Sequence, residues 1–118
     1  MKKELEMVAE FHKKFKVPIA EKPSFIPPER SSLRYKMAKE EVEEYREGVE
    51  KNDLENIAKE LTDLLYSTYG TILEHGLQDK MEEIFTEVHR SNMSKEYHPL
   101  KVQKGANFSK AELGKILD

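Results

Sequence analysis

"IAKELTDLLYSTYG", Ile57–Gly70, carries apolar residues around most of a helical circumference, yet Glu60 and Asp63 stand in its middle. Placed at ~100° steps, Leu54, Ile57, Ala58, Leu61, Leu64, Leu65, Tyr69, Ile72 and Leu73 cover well over half the surface of a helix running from Leu54 to about His75. The narrow stripe that remains holds Asn56, Glu60, Asp63, Ser67 and Gly70, with Lys59 only at its flank. A solvated stripe interleaves lysine or arginine at a spacing of three or four. This one predicts a helix that faces another closely, with carboxylates pointing into the gap.

The helix before it supplies the other side of that gap. "LRYKMAKEEVEEYREGVEK" starts near Ser31 or Ser32 and gathers Leu33, Met37, Ala38, Val42, Tyr45 and Val49 into one half of its circumference. Glu41 falls inside that half and Glu44 at its edge, with Glu40 just outside. Lysines, arginine and the other glutamates fill the solvent side without them. Asn52 and Asp53 make the turn short and cap the next helix, so the two helices are expected to pack antiparallel.

Glu41/Glu44 and Glu60/Asp63 each have the three-residue spacing that sets two carboxylates on one helix face. Four carboxylates converging between packed helices cost roughly 2–3 kcal/mol for each unpaired group unless a positive charge or a proton offsets them. A hard divalent cation, magnesium or manganese, answers that cost with the ligands it prefers. A di-iron bundle needs glutamate followed three residues later by histidine. The residues three before His12, His75, His89 and His98 are Ala9, Ile72, Thr86 and Lys95, so none qualifies.

Around this pair the chain reads as helices and turns. Leu5, Val8, Phe11 and Phe15 repeat at helical spacing and Pro18 closes the segment. "VPIAEKPSFIPPERSS" has four prolines and forms an ordered or semi-rigid connector. Gly76 supplies a left-handed stop to the long central helix. Asp79 and Glu82 have capping-box spacing for a fourth helix with Met81, Ile84, Phe85 and Val88 on one face, ending near Lys95. Ser109 with Glu112 is placed to cap a last short turn. No strand alternates convincingly, so the fold class is all-α: an antiparallel bundle of four main helices within one domain, 1–118.

Composition narrows the partners. The 118 residues hold no cysteine, which removes disulfides, thiolate nucleophiles and cysteine zinc sites. A net charge of −3 with both signs mixed argues against a nucleic-acid partner. The charged start "MKKELEMVAEF" lacks a signal peptide's apolar stretch and no segment approaches the ~18 apolar residues of a membrane span, so a cytoplasmic protein is expected, without a membrane partner.

"KEEVEEY" followed by "KELTDLLYSTYG" resembles the MazG-like all-α nucleoside triphosphate pyrophosphohydrolases, whose EExxE and ExxD motifs fit Glu40, Glu41 and Glu44, then Glu60 and Asp63. "FHKKFKVP", "EVHRSNMSK" and "KVQKGANF" extend the resemblance over almost the whole chain, to the small single-domain branch with dimeric-dUTPase-like and phosphoribosyl-ATP-pyrophosphohydrolase-like members. The tail's usual glycine-proline is replaced by "GAN". The resemblance implies hydrolysis of a nucleoside triphosphate between its α and β phosphorus atoms, with magnesium held by Glu41, Glu44, Glu60 and Asp63 and with Glu40 orienting or deprotonating the attacking water. It also implies nucleotide contacts near the end of the fourth helix, where Asn92 suits base or sugar and Lys95 phosphate, with Lys104 a weaker phosphate candidate. A homodimer or dimer of dimers follows from it, in keeping with the apolar circumference of the central helix. Two other readings share the pattern: cleavage of phosphoribosyl-ATP by the same metal logic, and a non-catalytic helical interaction module.

Overall fold

Apolar positions spaced by three and four make Lys2–Phe15 the first helix, α1, but its buried stripe is Leu5, Val8 and His12. Phe11 and Phe15, expected on that stripe, are exposed by 42% and 57%. The inward position goes to His12 because its Nδ1 lies 3.0 Å from the Pro18 carbonyl, while Phe11 sits edge-on against Tyr66 on the flank of the central helix. The computed structural model describes Met1–Asp118 and divides the chain into two compact units, Met1–Gln78 and Asp79–Asp118.

The connector after α1 is ordered by the central helix it passes. Ala20 N–H donates to the Leu73 carbonyl and Ser24 N–H to that of His75. The second helix, α2, runs Pro28–Glu50 and so begins three to four residues before the serines expected to start it. Pro28 occupies the first turn, where the missing N–H is unpaired in any case and the fixed φ already suits a helix. The turn to α3, Leu54–Glu74, uses Asn52 at φ 51° and the Asp53 carboxylate, which accepts from the Asn56 N–H at 3.1 Å. Gly76 at φ 68° ends α3 as expected, and a Cβ there would collide with the Lys22 carbonyl of the connector.

α3 is flanked by α2 and α1. The α2–α3 seam repeats every seven residues and is polar rather than apolar. Along α2 it runs through Arg34, Glu41 and Gly48, and along α3 through Glu60, Ser67 and Glu74. Gly48 lets α3 come close, since a Cβ there would lie 3.3 Å from Asn56 and Ile57. At the other end Arg34 Nε donates to Thr71 Oγ1 at 3.0 Å and its Nη2 to the Ser67 carbonyl at 2.6 Å. Gly70 makes the space, because a Cβ there would overlap the Arg34 guanidinium. The two ends together fix an antiparallel register with Glu41 opposite Glu60 and Asp63.

Glu74 closes the seam. Its side chain is fully buried, with Arg30 donating through Nε and Nη2 at 2.9 and 2.8 Å and Arg34 Nη1 at 3.3 Å. Much of the apolar half of α2 stays open: Leu33, Val42, Tyr45 and Val49 are all more than a third exposed, while Met37, Ala38 and Glu41 are half-buried. Periodicity identified the half that faces α3, but the contact itself uses the polar line running down the middle of that half.

A 3-10 turn, Gln78–Lys80, begins on the last residue of the first unit and leads into α4, Met81–Met93, in the second. No side chain caps α4, so the expected Asp79/Glu82 box does not form, and the helix stops two residues before Lys95. A single antiparallel bridge joins Glu96 and Gln103. The last helix, α5, Gly114–Leu117, also lacks a side-chain cap. Ser109 N–H instead donates to Ser94 Oγ, and Glu112 N–H to Glu87. The bidentate Arg90 guanidinium, first, and that Glu112 N–H hold the Glu87 carboxyl down to about 2. No helix is long and apolar enough to cross a membrane.

Glu74→Ala strands the Arg34 guanidinium in the seam, and breaking one side of a buried pair typically costs ~3–5 kcal/mol. Urea unfolding is expected to show a loss of that order, against under ~0.5 kcal/mol for Arg46→Ala, whose partners Glu43 and Glu50 lie on the surface of α2.

Candidate metal centre

The register of α2 on α3 brings four acids together. Glu41, Glu44, Glu60 and Asp63 each present one carboxylate oxygen, and the four lie within 4.8 Å of one another. Glu60 is buried, Glu41 and Asp63 are half-buried, and Glu44 is at the open side. Lys59 is the one cation against the group, with Nζ 2.8 Å from Asp63 and 3.4 Å from Glu60. One ammonium against four carboxylates leaves most of the charge uncompensated.

Two observations describe what would satisfy it. Glu41 Oε2 and Glu60 Oε2 are buried and have no hydrogen-bond partner, a state that polar groups in folded proteins rarely keep. The donor set is also all oxygen, which suits a hard divalent cation rather than a soft metal. These residues therefore fit such an ion.

The protonation of the group points the same way. Glu44 is pushed up to about 7, first by the Glu60 carboxylate, with which it can share a hydrogen bond only when protonated, then by the charges of Glu41 and Glu60. Glu41 is raised above the usual carboxylate range by burial first, then by its contact with Glu60 and the charge of Asp63. Repulsion among the acids thus favours proton uptake where no cation is bound.

Glu40 lies outside the four. It is exposed and faces an open groove along α2 with Lys36, Lys39 and Glu43. Asn92, Lys95 and Lys104 belong to the second unit. Asn92 is exposed at the end of α4, the Lys95 N–H donates to the Asn92 carbonyl, and Lys104 Nζ stands 5.1 Å over the Phe108 ring.

The residues that hold the acids in register went unread in the sequence: Arg30, Arg34 and Glu74. The signal was present. The small and acidic stripe of α3 continues by one more step of four from Gly70 to Glu74, and Arg34 precedes Glu41 by two helical turns on the same line. His12, within the stretch that carries part of the family resemblance, is 2% exposed. Its basicity is lowered by burial first and, against the opposing Pro18 hydrogen bond, by the neighbouring guanidiniums.

A family model described as phosphoribosyl-ATP pyrophosphohydrolase matches residues 8–92, most of the chain. No curated protein matches it.

The raised Glu44 value gives a pH dependence of defined sign. Between the ordinary value of 4.5 and about 7 the folded state binds more protons than the unfolded one, so the stability of metal-free protein falls as pH rises through that window. Melting temperatures measured in chelator from pH 5 to 8 are expected to decline, less steeply in Glu44→Gln and less steeply with millimolar magnesium. Equal slopes in all three would mean that the acids do not meet in solution.

Proposed function

The chain belongs to the phosphoribosyl-ATP pyrophosphohydrolase family, within the MazG-like all-α superfamily, and from that membership we propose a magnesium-dependent enzyme that cuts a nucleoside triphosphate between its α and β phosphorus atoms. The products are a nucleoside monophosphate and pyrophosphate. The observation that carries this reading is the meeting of Glu41, Glu44, Glu60 and Asp63 with two buried oxygens lacking any partner. Phosphoryl chemistry is mainly positioning and charge neutralisation, which is the task such a cluster suits.

In this reading Glu41, Glu44, Glu60 and Asp63 hold magnesium, with manganese as a substitute. When bound, the ion supplies the positive charge that the triphosphate and the departing pyrophosphate need. Glu40, one residue from Glu41 and open to solvent, holds the attacking water and takes its proton. Asn92 is our candidate for base or sugar, and Lys95 and Lys104 for phosphate, on the family resemblance alone. The family match runs across the boundary between the two units, which supports treating 1–118 as one functional domain.

Phosphoribosyl-ATP, the substrate in the family's description, is the second reading and calls on the same acids. A helical interaction module without activity would leave the converging acids without a task.

The exposed apolar side chains support assembly. Phe11, Leu61, Leu65 and Tyr66 on α1 and α3, and Val42, Tyr45 and Val49 on α2, are each more than a third exposed, an extent of apolar surface that soluble monomers rarely show. We read them as covered by a second copy, giving a four-helix arrangement completed in a homodimer or a dimer of dimers.

The deciding experiment is a panel of nucleoside triphosphates and phosphoribosyl-ATP incubated with magnesium and resolved by product. Pyrophosphate and a monophosphate are expected; orthophosphate alone would refute the bond assignment. Glu60→Gln and Asp63→Asn are expected to weaken magnesium binding in calorimetric titration by at least the roughly 10- to 100-fold that loss of a supporting group costs, with turnover falling alongside. A wild-type titration without heat would favour the interaction module. Light scattering on a sizing column is expected to return two or four times the 13.8 kDa chain mass, and a monomer would defeat the assembly.

A further inference from the structure

Lys59 stands between two acids on α3, and it pairs with the less favoured one. Glu55, exposed in the first turn, comes four residues before it, the order of acid and base that supports a helix better. Asp63 comes four residues after it, the weaker order. The ammonium nevertheless lies 2.8 Å from Asp63 and 3.4 Å from Glu60, and no ion pair joins it to Glu55. Helix support does not explain that choice. The uncompensated charge of the four acids does, because Glu55 is a single solvated carboxylate and Asp63 belongs to a cluster.

The contact satisfies only the outer part of the cluster. Lys59 donates to Glu60 Oε1 and Asp63 Oδ2, whereas the buried Oε2 atoms of Glu60 and Glu41 keep no partner. Its side chain is 66% exposed against 6% for Glu60, so the ammonium rests on the rim and its flexible four-carbon stem is free to turn outward. A divalent cation held by Glu60 and Asp63 competes with it, since positive charges a few ångströms apart repel. An anion drawn to the centre comes from solvent, the side on which the Lys59 ammonium already stands.

We propose that Lys59 is a tethered counter-ion of the acidic centre: its ammonium weakens capture of the bare divalent ion and passes from Asp63 and Glu60 to the polyphosphate when ion and anion enter together. This rests on the reading of the acids as the centre that takes a triphosphate. One side chain then makes the two ligands interdependent, each held better in the presence of the other. Without Lys59 the centre fills with free magnesium whether or not a polyphosphate is present.

Binding measurements on the full chain test it without turnover. Calorimetric titration with magnesium chloride alone, at low ionic strength, is expected to give ~5-fold tighter binding in Lys59→Met than in wild type, the upper range for an exposed ion pair. Lys59→Arg, which keeps the charge, is expected to stay near wild type. Lys13→Met, which removes an exposed lysine from α1, is expected to change nothing. With magnesium saturating, inorganic tripolyphosphate, which carries the charge without a base, is expected to bind Lys59→Met ~5-fold more weakly than wild type. The opposite signs separate a counter-ion from a structural lysine, whose loss weakens both. Magnesium binding that is unchanged or weaker in Lys59→Met, or equally tightened in Lys13→Met, overturns the counter-ion. Tripolyphosphate binding that is absent from wild type, or unchanged or tighter in Lys59→Met, overturns the transfer. The nucleotide panel decides the hydrolase reading separately, so a failure of that reading and a failure of Lys59 give different results.

Discussion

The seam between α2 and α3 is built from polar and small residues, and the site depends on it. Most helix pairs in water-soluble folds meet through apolar ridges. Here Arg34 fastens one end to Thr71, Ser67 and Glu74, Gly48 admits Ile57 at the other, and the acids are brought together between. A slip of α2 by one residue would carry Glu41 about 100° around the helix and leave Glu60 facing a different side chain. Hydrogen bonds fix such a register more sharply than interchangeable apolar contacts can, since each buried donor must find its own acceptor.

The same seam places both signs of charge along one line. Glu74 with its guanidiniums is a partnered buried charge, which contributes order at little net gain in stability. Glu60, fourteen residues earlier on the same face, has one oxygen partnered only at the margin by Lys59 and the other by nothing. Two acids from one helix stripe therefore stand in opposite states, one satisfied by the chain itself and one left for something the chain does not provide. That contrast is stronger ground for a ligand than acidity alone, because acidic clusters on protein surfaces are common.

Much of this was legible in the sequence, and what was missed follows a pattern. Caps and stops with a local cause could be read: Asp53 ahead of α3 and Gly76 behind it act through their own backbone neighbours. The four acids were legible too, because spacing of three on two consecutive helices needs no knowledge of which partner each helix meets. Pro28 was assigned to the connector when it starts α2, and the Asp79/Glu82 box gave way to a 3-10 turn. Arg34 and Glu74 were missed because an arginine and a glutamate 40 residues apart carry no mark of pairing until the register of two helices is known.

The apolar half of α2 shows where periodicity stops being informative. Leu33, Val42, Tyr45 and Val49 fall within one half of the helix, as spacing alone requires, yet the contact with α3 is made by Arg34, Glu41 and Gly48, which run down the middle of that half. Periodicity fixes which residues share a face; it does not say what the face meets. α2 therefore sets its polar line against α3 and leaves apolar residues on both flanks of that line open to solvent. Under the assembly proposed above, substitutions on those flanks act on association first and reach the acids only through the seam.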